Sequence, residues 1–258
     1  MTHPRPSKDN GTVDRVLALL RVLTDHPGST ALEISTRLSL PRSTVHRLLG
    51  MLRDSEFANH VAGGFEPGLE MYRIAGKLSA QTPYVRLAEP YLRELSEQFG
   101  ETSLLTLLQR HELRMFHAAS SSPADPMRYN IQLNLQVPLL WGATARAILA
   151  YLTEGEIEAV LSEGLPAPAG GVTLNPVAVR AELAKVRAAG YLITDSHRTP
   201  NSIGVAAPFF RGDGAVAGSV GMLIPSFRWE TADSNSVIQA IKTAANRLSI
   251  QLGYTEHH

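Results

Sequence analysis

Residues 38–54 read LSLPRSTVHRLLGMLRD, and this stretch decides the fold of the amino-terminal part of the chain. Pro41 suits the first position of a helix, because its missing N–H costs nothing there and its φ is already helical. The apolar side chains form one stripe at positions i, i+3, i+4 and i+7: Val45, Leu48, Leu49 and Leu52. The opposite side carries no acid and presents polar or basic groups: Arg42, Ser43, His46, Arg47 and Arg53. Such donors suit phosphates and base edges, so this stretch is predicted to be a DNA recognition helix.

The residues around this helix predict a winged helix-turn-helix domain over residues 12–68. Residues 12–26 have apolar side chains at helical spacing and end at Pro27–Gly28. A second helix is expected over residues 31–38, capped by Ser29 or Thr30 and followed by a tight turn. Residues 57–68 contain two short extended pieces around Gly63–Gly64, which predicts a hairpin wing. The alternative is a small helical domain that binds proteins.

The chemistry of the recognition face suggests a role for each of its first residues. Arg42 and Arg47 can make bidentate contacts to guanine or clamp phosphates. Ser43 and Thr44 belong to the first helical turn, where phosphate oxygens meet the positive end of the helix.

Three further residues of this stretch keep two interpretations each. His46 can contact a base edge, or it is solvated or paired within the protein. Arg53 is expected to touch the DNA backbone or to pair with a local acid. Gly50 costs about 1 kcal/mol of helix stability relative to Ala. It either permits close approach of the helix backbone to DNA or is a tolerated surface glycine.

Composition limits the function classes and the compartment. The 258 residues carry 24 basic and 24 acidic side chains, and residues 1–60 carry eight basic against six acidic ones. DNA binding must therefore depend on where the charges lie. The absence of cysteine excludes disulfides, thiolate catalysis and cysteine–zinc sites. No apolar run is long enough to span a bilayer. Residues 1–11 are expected to be a disordered lead rather than a signal peptide. We therefore expect a cytoplasmic protein with no membrane partner.

The remaining chain predicts a linker helix and an α+β domain. Residues 69–82 are expected to be the helical linker, and the second domain is expected over residues 83–258, beginning with a helix that ends at Gly100. Strands are predicted at residues 103–109, 113–119, 127–133, 191–194, 203–210 and 215–225. Further helices are predicted at residues 143–151, 154–161, 176–189 and 231–252. This order indicates a central antiparallel sheet.

The chain resembles the IclR family of bacterial transcriptional regulators over nearly its whole length. In the amino-terminal part the resemblance is carried by VDRVLALLRVL, ALEISTRLSLPRSTVHRLLGML and FEPGLEMYRIAG. In the carboxy-terminal part it is carried by VPLLWGATARAILAYL, RAAGYLITDSHRTPNSIGVAAPFF and GAVAGSVGMLIP. The resemblance implies a winged helix-turn-helix, a linker helix that packs on a second subunit, and a GAF-like domain that binds a small-molecule effector. It also implies a homodimer, or a dimer of dimers, on a pseudo-palindromic double-stranded operator, acting as repressor or activator.

At several positions of the expected effector pocket, the chain carries residues that differ from those usual in the family. Leu140 and Trp141 replace a histidine and a small residue, and Ala145–Arg146 replaces Gly–Lys. Gly204 stands where cysteine is frequent. Gly221 and Leu223 stand where serine is common, and Thr194 replaces a frequent acid. The candidate effector-binding residues are Met127, Tyr129, Ile131, Val137, Trp141, Ala143, Thr144, Thr194, Gly204, Gly221 and Leu223.

These departures predict an apolar slot walled by Trp141, because groups suited to a small carboxylate have been lost. The hypothesis is an effector larger and more apolar than glyoxylate or pyruvate, with aromatic compounds as the leading class. The alternative is that Trp141 fills the space left by Gly204 and Gly221 and that no effector binds. Arg128 and Arg146 either neutralise a carboxylate at the pocket edge or are surface or helix-end charges.

The sequence predicts no enzyme, cofactor or metal site. It contains no nucleophile elbow, P-loop, dinucleotide fingerprint or HExxH pattern, and its histidines lack metal-ligand spacing. Asp195, Ser196 and His197 are consecutive, which prevents them from converging on a substrate as a triad does, so they are expected to form a polar turn. The function predicted is a DNA-binding regulator that responds to an apolar or aromatic effector. The alternative is such a regulator without an effector, controlled by its abundance or by a protein partner.

Overall fold

The computed structural model describes residues 11–79, 83–123, 129, 131–170 and 173–255. The chain divides into two compact units, Met1–Thr82 and Pro83–His258, called units 1 and 2 below. The expected lead, apart from Gly11, lies outside the described residues, and so do Met127 and Arg128.

The described residues of unit 1 form four helices and one hairpin. The helices are α1 (Thr12–Asp25), α2 (Ala31–Leu38), α3 (Arg42–Asp54) and α4 (Leu69–Ser79), and the strands are β1 (Ala58–Val61) and β2 (Gly64–Pro67). Thr30 caps α2 in a capping box with Glu33. Pro41 is the N-cap residue of α3 rather than its first helical residue, because its ψ of 139° is still extended. Ser39 makes the tight turn between α2 and α3 at φ 53°.

The hairpin is attached to the loop between α1 and α2. The N–H of Gly28 donates to the carbonyl of Phe65, and the N–H of Phe65 donates to the carbonyl of Ser29, both at 2.9 Å. A Cβ atom at Gly64 would lie 2.1 Å from the carbonyl oxygen of Gly28, so this close approach requires glycine. The core beneath is formed by buried side chains of all three first helices, among them Leu19, Leu23, Ile34, Leu38, Val45, Leu48 and Leu49.

Unit 2 is built on a six-stranded antiparallel sheet in the order β5-β4-β3-β8-β7-β6. Its strands are β3 (Thr102–Gln109), β4 (Arg114–Ser121), β5 (Val137–Pro138), β6 (Leu192–Asp195), β7 (Ser202–Phe210) and β8 (Val216–Pro225). Its helices are α5 (Pro83–Phe99), α6 (Ala143–Leu149), α7 (Glu154–Ser162), α8 (Pro176–Ala189), α9 (Ser226–Trp229) and α10 (Ser234–Gln251).

Alternate residues of β7 pack on opposite faces of this sheet. Val205 and Phe209 belong to the core that α5 and α10 cover, whereas Ala206 packs against Ala143 and Ala147 of α6. Small side chains let α6 lie close to the sheet, and the amino end of α6 therefore reaches the strands directly.

The strand predicted over residues 127–133 is wrong for its described part, because residues 129 and 131–133 form no strand. The segment turns at Asn134, whose φ is 59° and whose N–H donates to the carbonyl of His117. Its apolar alternation has another cause, because Ile131 and Leu135 line a cavity rather than a sheet face. The two-residue β5 and the short α9 were not expected.

Within the described part of the chain, no helix is long and apolar enough to cross a membrane.

Candidate nucleic-acid interface and ligand cavity

Helix α3 presents a continuous exposed polar face. Val45, Leu48, Leu49 and Leu52 are buried in the core of unit 1. The opposite face exposes Arg42, Ser43, His46, Arg47 and Arg53, while Thr44 is half-buried. No acid lies in the first turn of the helix. A face of this composition matches phosphates and base edges in the major groove.

Most side chains of this face are available to a partner. The side chains of Arg42, Ser43 and His46 make no hydrogen bond or ion pair with any other residue that the structure describes. Arg47 reaches along the helix, with Nη1 3.8 Å from Sδ of Met51. Arg53 lies 3.8 Å from a carboxylate oxygen of Asp54, a local acid as one interpretation expected. A Cβ atom added at Gly50 would meet nothing within 4 Å.

Unit 2 contains a cavity of about 260 Å³ between the sheet and the amino end of α6. Its wall is formed by the described residues Leu104, His117, Ile131, Gln132, Leu135, Val137, Gly142, Ala143, Thr144, Thr194, His197, Arg198, Thr199, Ser202, Gly204, Met222 and Leu223. Seven of the residues predicted from the sequence are among them: Ile131, Val137, Ala143, Thr144, Thr194, Gly204 and Leu223. Thr194, Gly204 and Leu223 are register partners across β6, β7 and β8.

Arg198 is the principal charge of this cavity. It makes no hydrogen bond or ion pair with another described residue, and no acidic residue is among those described in the wall. Burial lowers the pKa of its guanidinium, although a guanidinium stays charged in proteins. The cavity therefore holds an uncompensated positive charge.

Two histidines lie in the same wall. Nδ1 of His117 is 2.9 Å from the hydroxyl of Thr106, its partner on the adjacent strand. Burial and, secondly, the charge of Arg198 lower the pKa of His117 from 6.5 to about 4. Nδ1 of His197 is buried without a hydrogen-bond partner among the described residues. Burial, followed by the charge of Arg146, lowers the pKa of His197, against opposing effects of Glu182 and Asp195.

Trp141 does not form the wall that the sequence predicted. Its indole is 2% exposed, and its Nε1 donates to the carbonyl of Leu165 at 2.8 Å. It is absent from the cavity lining and packs behind it, with its ring centroid 5.4 Å from that of His197. The guanidinium of Arg146 lies 4.9 Å from the same indole. The indole side chain is large and mostly apolar, and here its N–H is satisfied by a core carbonyl rather than by a ligand.

Three other candidates also lie outside this lining. A Cβ atom at Gly221 would be 2.8 Å from the carbonyl oxygen of Val205, so this glycine serves strand and helix packing. The hydroxyl of Tyr129 donates to the carbonyl of Asn201 at 2.9 Å. Arg146 is a buried helix-end charge in the last turn of α6, with Nη1 2.8 Å from a carboxylate oxygen of Glu182. The candidates Met127 and Arg128 lie outside the described residues.

The turn after β6 supplies the polar groups that sequence reasoning missed. Residues 195–202 read DSHRTPNS, in which every side chain except the proline can form hydrogen bonds. Ser196 and Asn201 adopt positive φ values of 52° and 55°, and the intervening residues His197, Arg198 and Thr199 line the cavity. The density of polar side chains in this turn was the available signal. The hydroxyl of Ser196 donates to Asp195, not to His197, so no nucleophile–base pair is formed.

The described residues contain no cluster of three or more side chains suited to hold a metal ion.

Comparison with known proteins identifies both units. The family model for the C-terminal part of the bacterial transcriptional regulator IclR matches residues 78–250, and the model for the IclR helix-turn-helix domain matches residues 12–60. The curated transcriptional regulator KipR of Bacillus subtilis is 24% identical over 248 residues, which cover 95% of this chain and 98% of that protein.

Solved structures agree with this assignment. A protein from Silicibacter sp. TM1040, assigned as an IclR transcriptional regulator, has a TM-score of 0.86 and 26% identity over 95% of this chain and 97% of its own. An IclR homolog from Microbacterium hydrocarbonoxydans, solved in complex with 4-hydroxybenzoate, has a TM-score of 0.75 and 21% identity over 94% and 99% of the two chains, which shows the same fold. The chain belongs to the IclR family of DNA-binding transcriptional regulators, with an amino-terminal helix-turn-helix domain and a carboxy-terminal effector-binding domain.

Proposed function

We propose that the protein is a transcriptional regulator whose operator binding is modulated by a small organic acid held in the cavity of unit 2. The observation that carries the proposal is Arg198, which pairs with no other described residue in a cavity wall whose described residues include no acid. A partly buried charge without a partner is costly, and an anionic ligand removes this cost. The wall combines this charge with apolar side chains, so the proposal adds a carboxylate to the apolar or aromatic effector predicted from the sequence.

The rest of the cavity supports an apolar body for this acid. Apolar side chains form a large part of the wall: Leu104, Ile131, Leu135, Val137, Met222 and Leu223. The cavity volume of about 260 Å³ lies just below the range of small-molecule pockets, which starts at roughly 300 Å³. This size suits a single ring with a carboxylate. The 4-hydroxybenzoate complex of the Microbacterium homolog supports the same class of ligand.

In this proposal α3 contacts the operator DNA through six residues: Arg42, Ser43, Thr44, His46, Arg47 and Arg53. It includes a homodimer, or a dimer of dimers, on a pseudo-palindromic operator, since a two-fold protein matches two-fold DNA. Exposed apolar side chains on α1 and α4 support a second copy: Val13, Leu17, Leu69, Tyr72 and Leu78. Helix α4 is the last described helix of unit 1 before the chain enters unit 2. We therefore propose that α4 transmits the effect of ligand binding from unit 2 to the DNA-binding unit.

The first experiment is titration calorimetry with 4-hydroxybenzoate, benzoate, pyruvate, glyoxylate and the uncharged analogue benzamide. We expect at least one acid to bind, a ring-bearing acid to bind more tightly than glyoxylate, and benzamide to bind at least tenfold more weakly than benzoate. Arg198→Gln should weaken acid binding at least tenfold, whereas Arg198→Lys should retain part of it. Arg93→Gln, on an exposed helix residue paired with Glu89, is the matched control and should leave binding unchanged.

The second experiment measures binding of the full chain to DNA upstream of its own gene, with and without the acid that binds most tightly. A ligand shifts the operator equilibrium only if it binds the DNA-competent and incompetent arrangements with different affinities. We expect the operator Kd to change at least fivefold. If no acid binds and operator binding is unchanged by all of them, the proposal fails in favour of a regulator controlled by its abundance or by a protein partner.

A further inference from the structure

We propose that His117 is a second anion-binding group of the cavity and that the acid is bound together with one proton, which the imidazole of His117 takes up. The inference deepens the proposed function and rests on it, because it assumes that a carboxylate occupies this cavity. His117 then acts together with Arg198 in selecting an anion over a neutral molecule of the same shape.

The geometry places His117 and Arg198 in one compartment. His117 lies on β4 and Arg198 in the turn that follows β6, and both line the same cavity. The imidazole of His117 is fixed at Nδ1 by the hydroxyl of Thr106. Its Nε2 has no hydrogen-bond partner among the described residues. A ligand anion at Arg198 therefore has a second nitrogen of the wall available to it.

The contact with Thr106 is compatible with both protonation states of the ring. A threonine hydroxyl can donate to a neutral Nδ1 and can accept from a protonated one. Thr106 is fully buried, so the hydroxyl has no competing water. The ring can thus gain a proton without losing this bond, and no rearrangement of β3 and β4 is needed.

Charge explains why the proton arrives with the ligand. In the empty cavity, burial and the charge of Arg198 hold the pKa of His117 at about 4. A carboxylate bound at Arg198 compensates that charge and adds a negative charge beside the ring, and both effects raise the pKa of a histidine. The other titratable group in the described wall is His197, which Arg146, Glu182 and Asp195 influence. No acid of the described wall competes with the ligand for this role.

Ligand binding transfers one proton and changes no other bond. The ligand stays a carboxylate, the neutral imidazole of His117 takes one proton from solvent, and no covalent bond other than N–H forms. Because the ring's pKa is higher in the complex than in the free protein, affinity rises as the pH falls. We expect a rise approaching tenfold per pH unit between pH 6 and pH 5, where simple carboxylic acids remain ionised.

The first test compares the His117 imidazole in the wild type, Arg198→Gln and Arg198→Lys by NMR of ¹³C-labelled histidines, with His117→Asn identifying the signal. At pH 5 the wild type and Arg198→Lys should show a neutral ring. In Arg198→Gln the midpoint should rise by about one pH unit or more. The signal of the exposed His111, which is not among the residues of the cavity wall, provides an internal reference in all three proteins. Equal midpoints in Arg198→Gln and Arg198→Lys would overturn the inference.

The second test is calorimetry at pH 5.5 in buffers of different ionisation enthalpy, with 4-hydroxybenzoate and pyruvate as the probes. The wild type should take up close to one proton per ligand and His117→Asn close to none, whereas His197→Asn should retain the uptake. Unchanged uptake in His117→Asn, or an acid that binds without a proton, refutes the inference alone. If no acid binds at all, the proposed function fails and the inference falls with it.

Discussion

The side chain of Arg198 crosses the backbone at Gly142 so closely that a Cβ atom there would lie 2.7 Å from Cδ of the arginine. Gly142 also has a φ of 92°, which other residues rarely adopt. It precedes α6, whose first residue Ala143 lines the cavity. One glycine therefore fixes both the start of α6 and the path of the cavity's principal charge.

Gly142→Ala should lower both stability and acid affinity. The backbone conformation alone costs about 1–2 kcal/mol for a residue with a Cβ atom. The clash with Arg198 should in addition displace the guanidinium and weaken acid binding about tenfold. Urea unfolding and calorimetry measure the two effects.

Gly214→Ala provides the control for this substitution. Gly214 has a φ of 78°, but an added Cβ atom would meet nothing within 4 Å. It should lose a similar stability and keep the wild-type affinity for acid. Equal losses of affinity in the two variants would contradict the role given to Gly142.

Trp141→Phe should destabilise unit 2 and leave the cavity's affinity for acid within about twofold. The change leaves the carbonyl of Leu165 without its donor and removes part of a buried ring, which costs about 1–3 kcal/mol. Affinity should persist because Trp141 lies behind His197 rather than in the wall. A tenfold loss of affinity at wild-type stability would restore the predicted aromatic wall.

The contrast between Trp141 and Gly204 shows what sequence reasoning could predict. The spacing of apolar residues and the positions of turn-forming residues predicted nearly all helices and strands, because both depend on local backbone geometry. Gly204, Thr194 and Leu223 were chosen because they depart from the residues usual in the family, and the structure places them beside one another across paired strands.

Trp141 was expected in the wall, and Arg198 was not singled out from the sequence, for a different reason. Whether a side chain after a turn points into a cavity or into the core depends on backbone angles such as those of Gly142 and Ser196. These angles result from tertiary packing, which leaves no periodic signal in the sequence. Comparison with the residues usual in the family therefore identified the altered positions, but it could not predict the direction of their side chains.

Arg47→Ala should weaken operator binding by about 1–3 kcal/mol if Arg47 reads a base. The side chain is exposed on α3, and within the described residues its contact is the weak one to Met51. Fluorescence anisotropy at several salt concentrations measures the affinity and its salt slope. Arg15→Ala, on α1, is the control and should change neither value. Unchanged affinity and salt slope in Arg47→Ala would remove α3 from its assigned role.

Gly50→Ala should stabilise unit 1 by up to about 1 kcal/mol, because alanine is the better helix former and the added methyl group meets no atom. Thermal unfolding measures this gain. Operator affinity then separates the two interpretations of this glycine. A loss of affinity in the stabilised protein indicates close approach of the helix to DNA, whereas unchanged affinity indicates a tolerated surface glycine. A loss of stability would contradict the open surroundings of Gly50.

His117 should make the stability of unit 2 depend on pH. Its pKa is about 4 in the folded protein, chiefly through burial and then through Arg198, against 6.5 for an unperturbed ring. The unfolded chain therefore binds this proton at a higher pH than the folded protein does. His117 does not reduce the free energy of unfolding at pH values well above 6.5. As the pH drops toward 4, its titration lowers the free energy of unfolding by up to about 3 kcal/mol.

Urea unfolding of the wild type and His117→Asn at pH 7, 6 and 5 isolates this contribution, because the two proteins differ in this one side chain. The wild type should lose more stability between pH 7 and pH 5 than His117→Asn does. A saturating acid ligand should flatten the wild-type curve, because a ring already protonated in the folded complex no longer favours the unfolded chain at low pH. Parallel curves for the two proteins would show that the imidazole of His117 is not held neutral by its surroundings.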